Sequence, residues 1–152
     1  LQDYKVKGNL DEKFKKQISI LKKEFKHIII DGSPVMNLDN VFVDVAEHII
    51  VPTFLDSVTT NSILNLLKKT DISKIRAVIP NRVGRTKIEK DFYTFLKNKL
   101  TRSGVFLSIP INQSSIILKL IENGTLLWER RSQKLDEIKN VFVKVWREIE
   151  DE

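Results

Sequence analysis

The chain has 152 residues, of which 41% are hydrophobic and 30% charged, with a formal net charge of +6 and no cysteine. This composition excludes a disordered chain, a disulfide-stabilised fold and cysteine-based catalysis, and no apolar stretch approaches the ~20 residues that span a bilayer. The length predicts a single domain, residues 1–152, with one hydrophobic core.

Four apolar runs each end on one of the chain's four prolines, which is typical of buried strands. Proline lacks the amide hydrogen that a central strand donates, so it belongs where strand pairing stops. Elsewhere apolar residues recur at spacings of three and four, as on the buried side of a helix. In chain order the pattern predicts a helix over 11–25, a strand over 27–31, a helix from Asp39 across Ala46, a strand over 48–52, a helix capped by Asp56 or Ser57 and carrying Val58 to Leu67, a strand over 74–79, a helix carrying Ile88 to Leu100, a strand over 105–109, a helix from Ser114 to near Asn123 and a helix over 133–150.

The spacing of the predicted strands determines where a site is expected. Each gap between them is long enough for a crossover helix, which predicts a parallel sheet. In open parallel sheets, ligands bind outside the carboxyl ends of the strands. The candidate site residues are therefore those that follow the predicted strands: Asp31, Gly32, Pro52, Asn81, Arg82 and Pro110.

Asp31 directly follows three isoleucines, so its carboxylate is expected at a strand tip and partly desolvated. A magnesium ion, held through water and phosphate oxygens with one or two protein carboxylates, is the usual reason for an acid there. The alternative is a turn aspartate that accepts hydrogen bonds from the Gly32 and Ser33 amides. Gly32 also removes side-chain bulk where a ligand or loop must approach.

Asn81 and Arg82 follow the third predicted strand, and Pro110 and Ile111 follow the fourth. A carboxamide both donates to and accepts from a heterocyclic base, and a proline next to an isoleucine can form an apolar wall against an aromatic ring. The alternative for the prolines is simple chain punctuation. His27 and His48 lie at the opposite ends of their predicted strands and are not expected in this site.

Positive charge is concentrated in two segments. Residues 1–26 hold eight lysines against four acidic residues, and residues 82–102 hold seven basic residues against two acidic ones. Clustered positive charge attracts polyanions such as DNA, although a solvated lysine surface is an equal alternative. The candidates for DNA contacts on the predicted helix are Lys87, Lys90, Lys97, Lys99 and Arg102.

Four segments together resemble the later part of a ParA/MinD-type ATPase, closest to the short plasmid and chromosome partition proteins. They are FKHIIIDGSP at 25–34, HIIVP at 48–52, VIPNR at 78–82 and SIPIN at 108–112, and KLIENGTLLW at 119–128 extends the similarity. The resemblance implies a three-layer, doubly wound, mostly parallel sheet of the P-loop NTPase type. It also implies that Asp31 orders a magnesium ion through water and that residues 32–34 sense the γ-phosphate of ATP.

The same resemblance assigns the base site and the function. Asn81 would read the adenine edge with Arg82 beside it, and Pro110 and Ile111 would flank the ring of ATP or ADP. The implied protein is a cytoplasmic, nucleoid-associated partition ATPase that forms a nucleotide-switched homodimer and binds DNA nonspecifically. A ParB-like centromere-binding protein is the implied partner that stimulates hydrolysis.

The family's opening strand and phosphate loop have no counterpart here, because the five glycines are isolated and none begins a phosphate-binding run. We therefore expect a fragment that does not hydrolyse ATP by itself. One alternative is a non-catalytic DNA-binding or interaction module with an ATPase-like sheet. A membrane-cycling MinD-like protein is less favoured, because the acidic end at 148–152 would be repelled by anionic lipid, and no membrane partner is expected.

Overall fold

A computed structural model describes residues 2–32 and 39–150 of the chain. The described elements are α1 (Gln2–Leu21), α2 (Asp39–Val45), β1 (Ile49–Thr53), α3 (Ser57–Lys69), β2 (Ile75–Pro80), α4 (Lys87–Leu100), β3 (Phe106–Leu107), α5 (Ser115–Glu122) and α6 (Gln133–Glu150), with short 3₁₀ turns at Ile72–Lys74 and Leu127–Glu129. They belong to two compact units, Leu1–Glu47 and His48–Glu152, and each unit is described by itself. Within the described part, no helix is both long enough and apolar enough to cross a bilayer.

The first unit is a pair of packed helices. The rings of Phe14 in α1 and Phe42 in α2 lie 5.0 Å apart, and Ile18 and Val41 are buried. Two ion pairs cross between the same segments, Lys15 with Asp44 at 3.5 Å and Lys22 with Glu47 at 2.6 Å. Both pairs are largely exposed, so the apolar contact contributes more to this packing than the charges do.

The strand predicted over 27–31 is not formed, and this prediction is wrong. Residues 27–32 have no regular secondary structure, and the Ile29 side chain is 89% exposed. A strand exists only where a neighbour pairs with its backbone, and the described part of this unit contains helices and no partner strand. The preceding helix ends at Leu21, four residues earlier than predicted, which leaves Phe25 more than half exposed.

The second unit contains a three-stranded parallel sheet in the order β1-β2-β3, which confirms the predicted parallel pairing. Ile49 pairs with Ile75, but Ile50 pairs with Ala77, so Arg76 is an extra residue in β2 and forms a bulge. The Arg76 Nε donates to His48 Nδ1 at 3.1 Å. The last strand is shorter than predicted: β3 covers only two of residues 105–109, and the Ile109 side chain is 56% exposed.

Helices cover both faces of this sheet. Successive β2 residues point to opposite faces, so β2 contributes side chains to the core on each side. Val78 belongs to a cluster with side chains of α3 and α4, whereas Ala77 and Ile79 pack against α6. The first cluster contains Leu55, Ile63, Ile75, Val78, Val83, Leu96, Leu100 and Val105. The second contains Ala77, Ile79, Ile111, Val141 and Val145. The unit is therefore a small α/β fold, compatible with the predicted class.

Candidate functional site

The carboxyl ends of the three strands are joined by backbone hydrogen bonds that continue beyond the sheet. The Asn81 amide donates to the Thr53 carbonyl at 2.7 Å, and the Ile111 amide donates to the Pro80 carbonyl at 2.8 Å. Val83 in turn donates to the Ile111 carbonyl at 3.0 Å. The segments that follow β2 and β3 are thus held side by side, which fixes the positions of the candidate residues at this edge.

A cavity of about 310 Å³ opens at this edge, and we call it the base cavity. It brings together three of the predicted site residues: Pro52 near the end of β1, Asn81 after β2 and Ile111 after β3. The remaining lining comes from the end of β2, from α5, from the segment after it and from α6: Ile79, Ile117, Leu120, Ile121, Thr125, Leu127, Ile138 and Phe142. An apolar cavity with a few polar groups is the usual form of a small-molecule site.

Asn81 provides one of the two polar side chains in the base cavity. Its Oδ1 accepts a hydrogen bond from the Arg82 amide at 2.8 Å, which fixes the orientation of the carboxamide. Among the described residues, no protein group accepts a hydrogen bond from its Nδ2. Asn81 is half-buried, so this donor is held in place and available to an acceptor on a ligand.

Arg82 adopts the left-handed backbone conformation, with φ of 52°, although it is not glycine. Such a conformation is unfavourable for a residue with a Cβ, and it occurs often at functional sites. The Arg82 side chain is exposed and lines neither of the two cavities at this edge. Arg82 is therefore a surface residue and does not join Asn81 in the base cavity.

Pro110 faces a second cavity, of about 520 Å³, rather than the one that Ile111 lines. This second cavity begins at the amino end of α4 and includes Arg85, Lys90 and the Tyr93 side chain. Its other lining residues are Leu55, Val83, Gly84, Glu89, Thr94 and Asn112. The two residues that were expected to flank one ring thus lie in different cavities.

Glu89 is the acidic residue of the second cavity, and its carboxylate is already occupied by the chain itself. It accepts hydrogen bonds from the Gly84 amide at 2.6 Å, the Thr86 amide at 3.0 Å and the Thr86 hydroxyl at 2.6 Å. These bonds, led by the Thr86 hydroxyl, hold the pKa of Glu89 below its ordinary value. A Cβ at position 84 would lie 2.8 Å from Glu89 Oε2, so a larger residue there would force the Glu89 carboxylate to shift.

The basic candidates on α4 do not share one face. Lys90 and Lys97 are seven residues apart, which places them within about 20° of each other and about 10 Å apart along the helix. Lys99 is nine residues from Lys90, on the opposite side, where its Nζ lies 5.6 Å from the Phe95 ring centre. Lys87 and Arg102 are exposed, at the start of α4 and beyond its end.

Sequence reasoning did not select Arg85, which lines the second cavity together with Lys90. The sequence could have identified it, because Thr86 and Glu89 form a capping box that marks the start of α4, and Arg85 directly precedes that start. We call Arg85, Lys90 and Lys97 the basic surface of α4. None of the three forms an ion pair with a carboxylate of the described residues.

Asp31 and Gly32 belong to the first unit and are both exposed. The residues predicted to complete their turn, Ser33 and Pro34, lie outside the described residues. Among the described residues, no group of three histidine or carboxylate side chains could hold a metal ion. The expected position of Asp31 at a partly desolvated strand tip is therefore wrong, and its role toward magnesium stays a prediction.

A scan against protein-family models gives no match for this chain. Searches of curated proteins and of solved structures give none either.

Proposed function

We propose that this chain is part of a ParA-type partition ATPase and that the base cavity binds the adenine of ATP or ADP. The observation that carries the proposal is that one cavity, at the carboxyl edge of a parallel sheet, combines Pro52, Asn81 and Ile111. These residues come from three separate strand ends, at the edge where ligands of open parallel sheets bind. Apolar side chains would cover the faces of the ring, and the Asn81 Nδ2 would donate to a ring nitrogen.

Adenosine binding by the 152-residue chain tests this proposal without any requirement for a phosphate loop. In a two-dimensional NMR titration, adenosine is expected to shift the amide signals of Asn81 and Ile111. Asn81→Ala should weaken binding by about 3- to 10-fold, because one neutral hydrogen bond is lost. Asn98→Ala, on the exposed side of α4, is the matched control and should bind like the wild type. Adenosine binding that is equal in all three proteins would refute the base site.

The phosphate chemistry is proposed to require a phosphate loop, which this sequence does not contain. Asp31 would act through water on magnesium, and ATP hydrolysis would need a phosphate loop supplied with this chain in a longer protein. In a version that carries such a loop, Asp31→Ala is expected to abolish hydrolysis while adenosine binding persists. Unchanged hydrolysis would remove the role assigned to Asp31.

Nonspecific DNA is the proposed partner of the basic surface of α4. Each lysine that neutralises a phosphate releases about one counterion, so the double variant Lys90→Gln, Lys97→Gln should weaken DNA binding and reduce the salt slope by about 2. Lys99→Gln is the matched control on the opposite side of the same helix. A fall of about 1 in the slope of this single-lysine control, the same effect per lysine as in the double variant, would show that the whole helix, and not this face, attracts DNA.

Nucleotide-dependent dimerisation and a ParB-like stimulating partner complete the proposal. In a version that carries the phosphate loop, DNA retention is expected to differ between ATP, ADP and no nucleotide. Identical retention in all three states would refute the switching mechanism.

A non-catalytic DNA-binding or interaction module is the second candidate. The exposed, irregular conformation around Asp31 favours it, because that segment has no partner strand in the described part of its unit. DNA binding without adenosine binding would support this candidate over the ATPase.

A further inference from the structure

The segment that follows α5 has an unusual polar residue. The helix ends in a Schellman motif: Gly124 has φ of 60°, its amide donates to Ile121, and the Thr125 amide donates to the Leu120 carbonyl at 2.9 Å. In this motif the residue after the left-handed glycine usually forms an apolar contact with the residue at the position of Leu120. Leu120 and Thr125 both line the base cavity. Thr125 therefore puts a hydroxyl where an apolar side chain is usual.

The Thr125 hydroxyl has no protein partner to explain it. Among the described residues it forms no hydrogen bond, although its own amide is bonded and its position is fixed. The other side chains that line the base cavity are apolar, with the exception of Asn81. Thr125 is half-buried, and its hydroxyl is not one of the buried polar atoms without a partner, so water can reach it and an acceptor or donor on a ligand could replace that water.

We propose that Thr125 is a specificity-determining residue of the base cavity, which selects purines that carry an exocyclic amine. The Thr125 oxygen would accept a hydrogen bond from that amine, while the Asn81 Nδ2 donates to a ring nitrogen. This inference rests on the proposed function, because it takes the ligand of the cavity to be a nucleotide base. It adds a second polar contact, which comes from the end of a helix rather than from the end of a strand.

Two nucleosides that differ only in the amine test the inference. Adenosine has the exocyclic amine, and purine riboside has hydrogen at that position. By NMR titration, wild-type protein should bind adenosine about 3- to 10-fold more tightly than purine riboside, the range expected for one neutral hydrogen bond. Thr125→Val should lose this preference and leave the affinity for purine riboside unchanged. Thr125→Ser, which retains the hydroxyl, should keep the preference.

The outcomes separate this inference from the proposed function. If Thr125→Val binds adenosine and retains the full preference, Thr125 does not select the base, whereas the nucleotide site stands. If the wild type binds neither nucleoside, the proposed function itself is refuted, and this inference with it. A higher melting temperature for Thr125→Val than for wild type would support the inference, because it shows that the hydroxyl does not serve folding. A lower melting temperature in both variants, with equal loss of both ligands, would make Thr125 a structural residue and overturn the inference.

Discussion

Lys139 connects α6 to the segment that ends the wall of the base cavity, and its replacement by methionine should destabilise the protein. The side chain is only 10% exposed, and its Nζ donates to the Arg130 carbonyl at 2.6 Å and to Asp136 Oδ1 at 3.1 Å. The same group lies 5.9 Å from the centre of the Trp128 ring. The turn that precedes Arg130 begins at Leu127, which lines the base cavity.

The expected loss comes mainly from the contact with the Arg130 carbonyl. A hydrogen bond from a charged donor contributes about 1.5–3 kcal/mol. The pair with Asp136 adds little, because the Asp136 side chain is 57% exposed and helix-surface pairs contribute about 0.2–0.5 kcal/mol. Methionine keeps the packing of most of the lysine stem. We therefore expect Lys139→Met to lower the free energy of unfolding by about 2 kcal/mol.

Urea unfolding followed by tryptophan fluorescence measures this change. Lys144→Met is the matched control, since Lys144 lies on the exposed side of the same helix, and it should stay within about 0.5 kcal/mol of wild type. Adenosine binding should weaken in Lys139→Met alone, because the cavity wall is less well held. A loss below about 0.5 kcal/mol for Lys139→Met, with an unchanged urea slope, would refute the reasoning.

Three further predictions concern the fold. Leu96→Ala removes a side chain with no exposed surface and should lower the free energy of unfolding by about 2–5 kcal/mol. Ile88 lies on the same helix and is 66% exposed, so Ile88→Ala should lower it by less than about 0.5 kcal/mol. Similar losses in both variants would contradict the packing of α4. Arg82→Gly should be more stable than Arg82→Ala by about 1 kcal/mol in the same assay, because only glycine adopts φ of 52° without strain, and equal stability would argue against that conformation. Hydrogen bonds from Thr59 hold the pKa of Asp56 below its ordinary value of 3.8. The stabilisation that this cap gives the folded protein is therefore complete above about pH 3.8, and it is lost as the pH falls through the lowered pKa of the folded state. Asp56→Asn should therefore lose less stability than wild type between about pH 6 and about pH 2.5, and parallel curves would contradict the assigned cap.

Local signals located most helices correctly. The helix predicted after Asp56 begins at Ser57 with Asp56 as its cap, and the helix predicted over 133–150 has those limits. Caps and apolar periodicity act within a few residues, so they can be read without the rest of the chain. The helix predicted to end near Asn123 is α5, which ends at Glu122 and is followed by Gly124 with a positive φ.

Strand predictions were less reliable where pairing decides the outcome. The runs at 48–52 and 74–79 became β1 and β2, which lie next to each other. The run at 27–31 has no partner strand among the described residues of its unit and is irregular. An apolar run records a preference for burial and extension, but its backbone becomes a strand only when another strand supplies hydrogen bonds.

The sequence by itself determined the helices, the parallel pairing of adjacent runs and the choice of Asn81 and Ile111, because each depends on local chemistry or on residue order along the chain. Only the tertiary structure decided that these two residues share a cavity with Thr125 while Pro110 faces another. Such proximity depends on how helices pack against a sheet, and residues far apart in the chain carry no local signal of it.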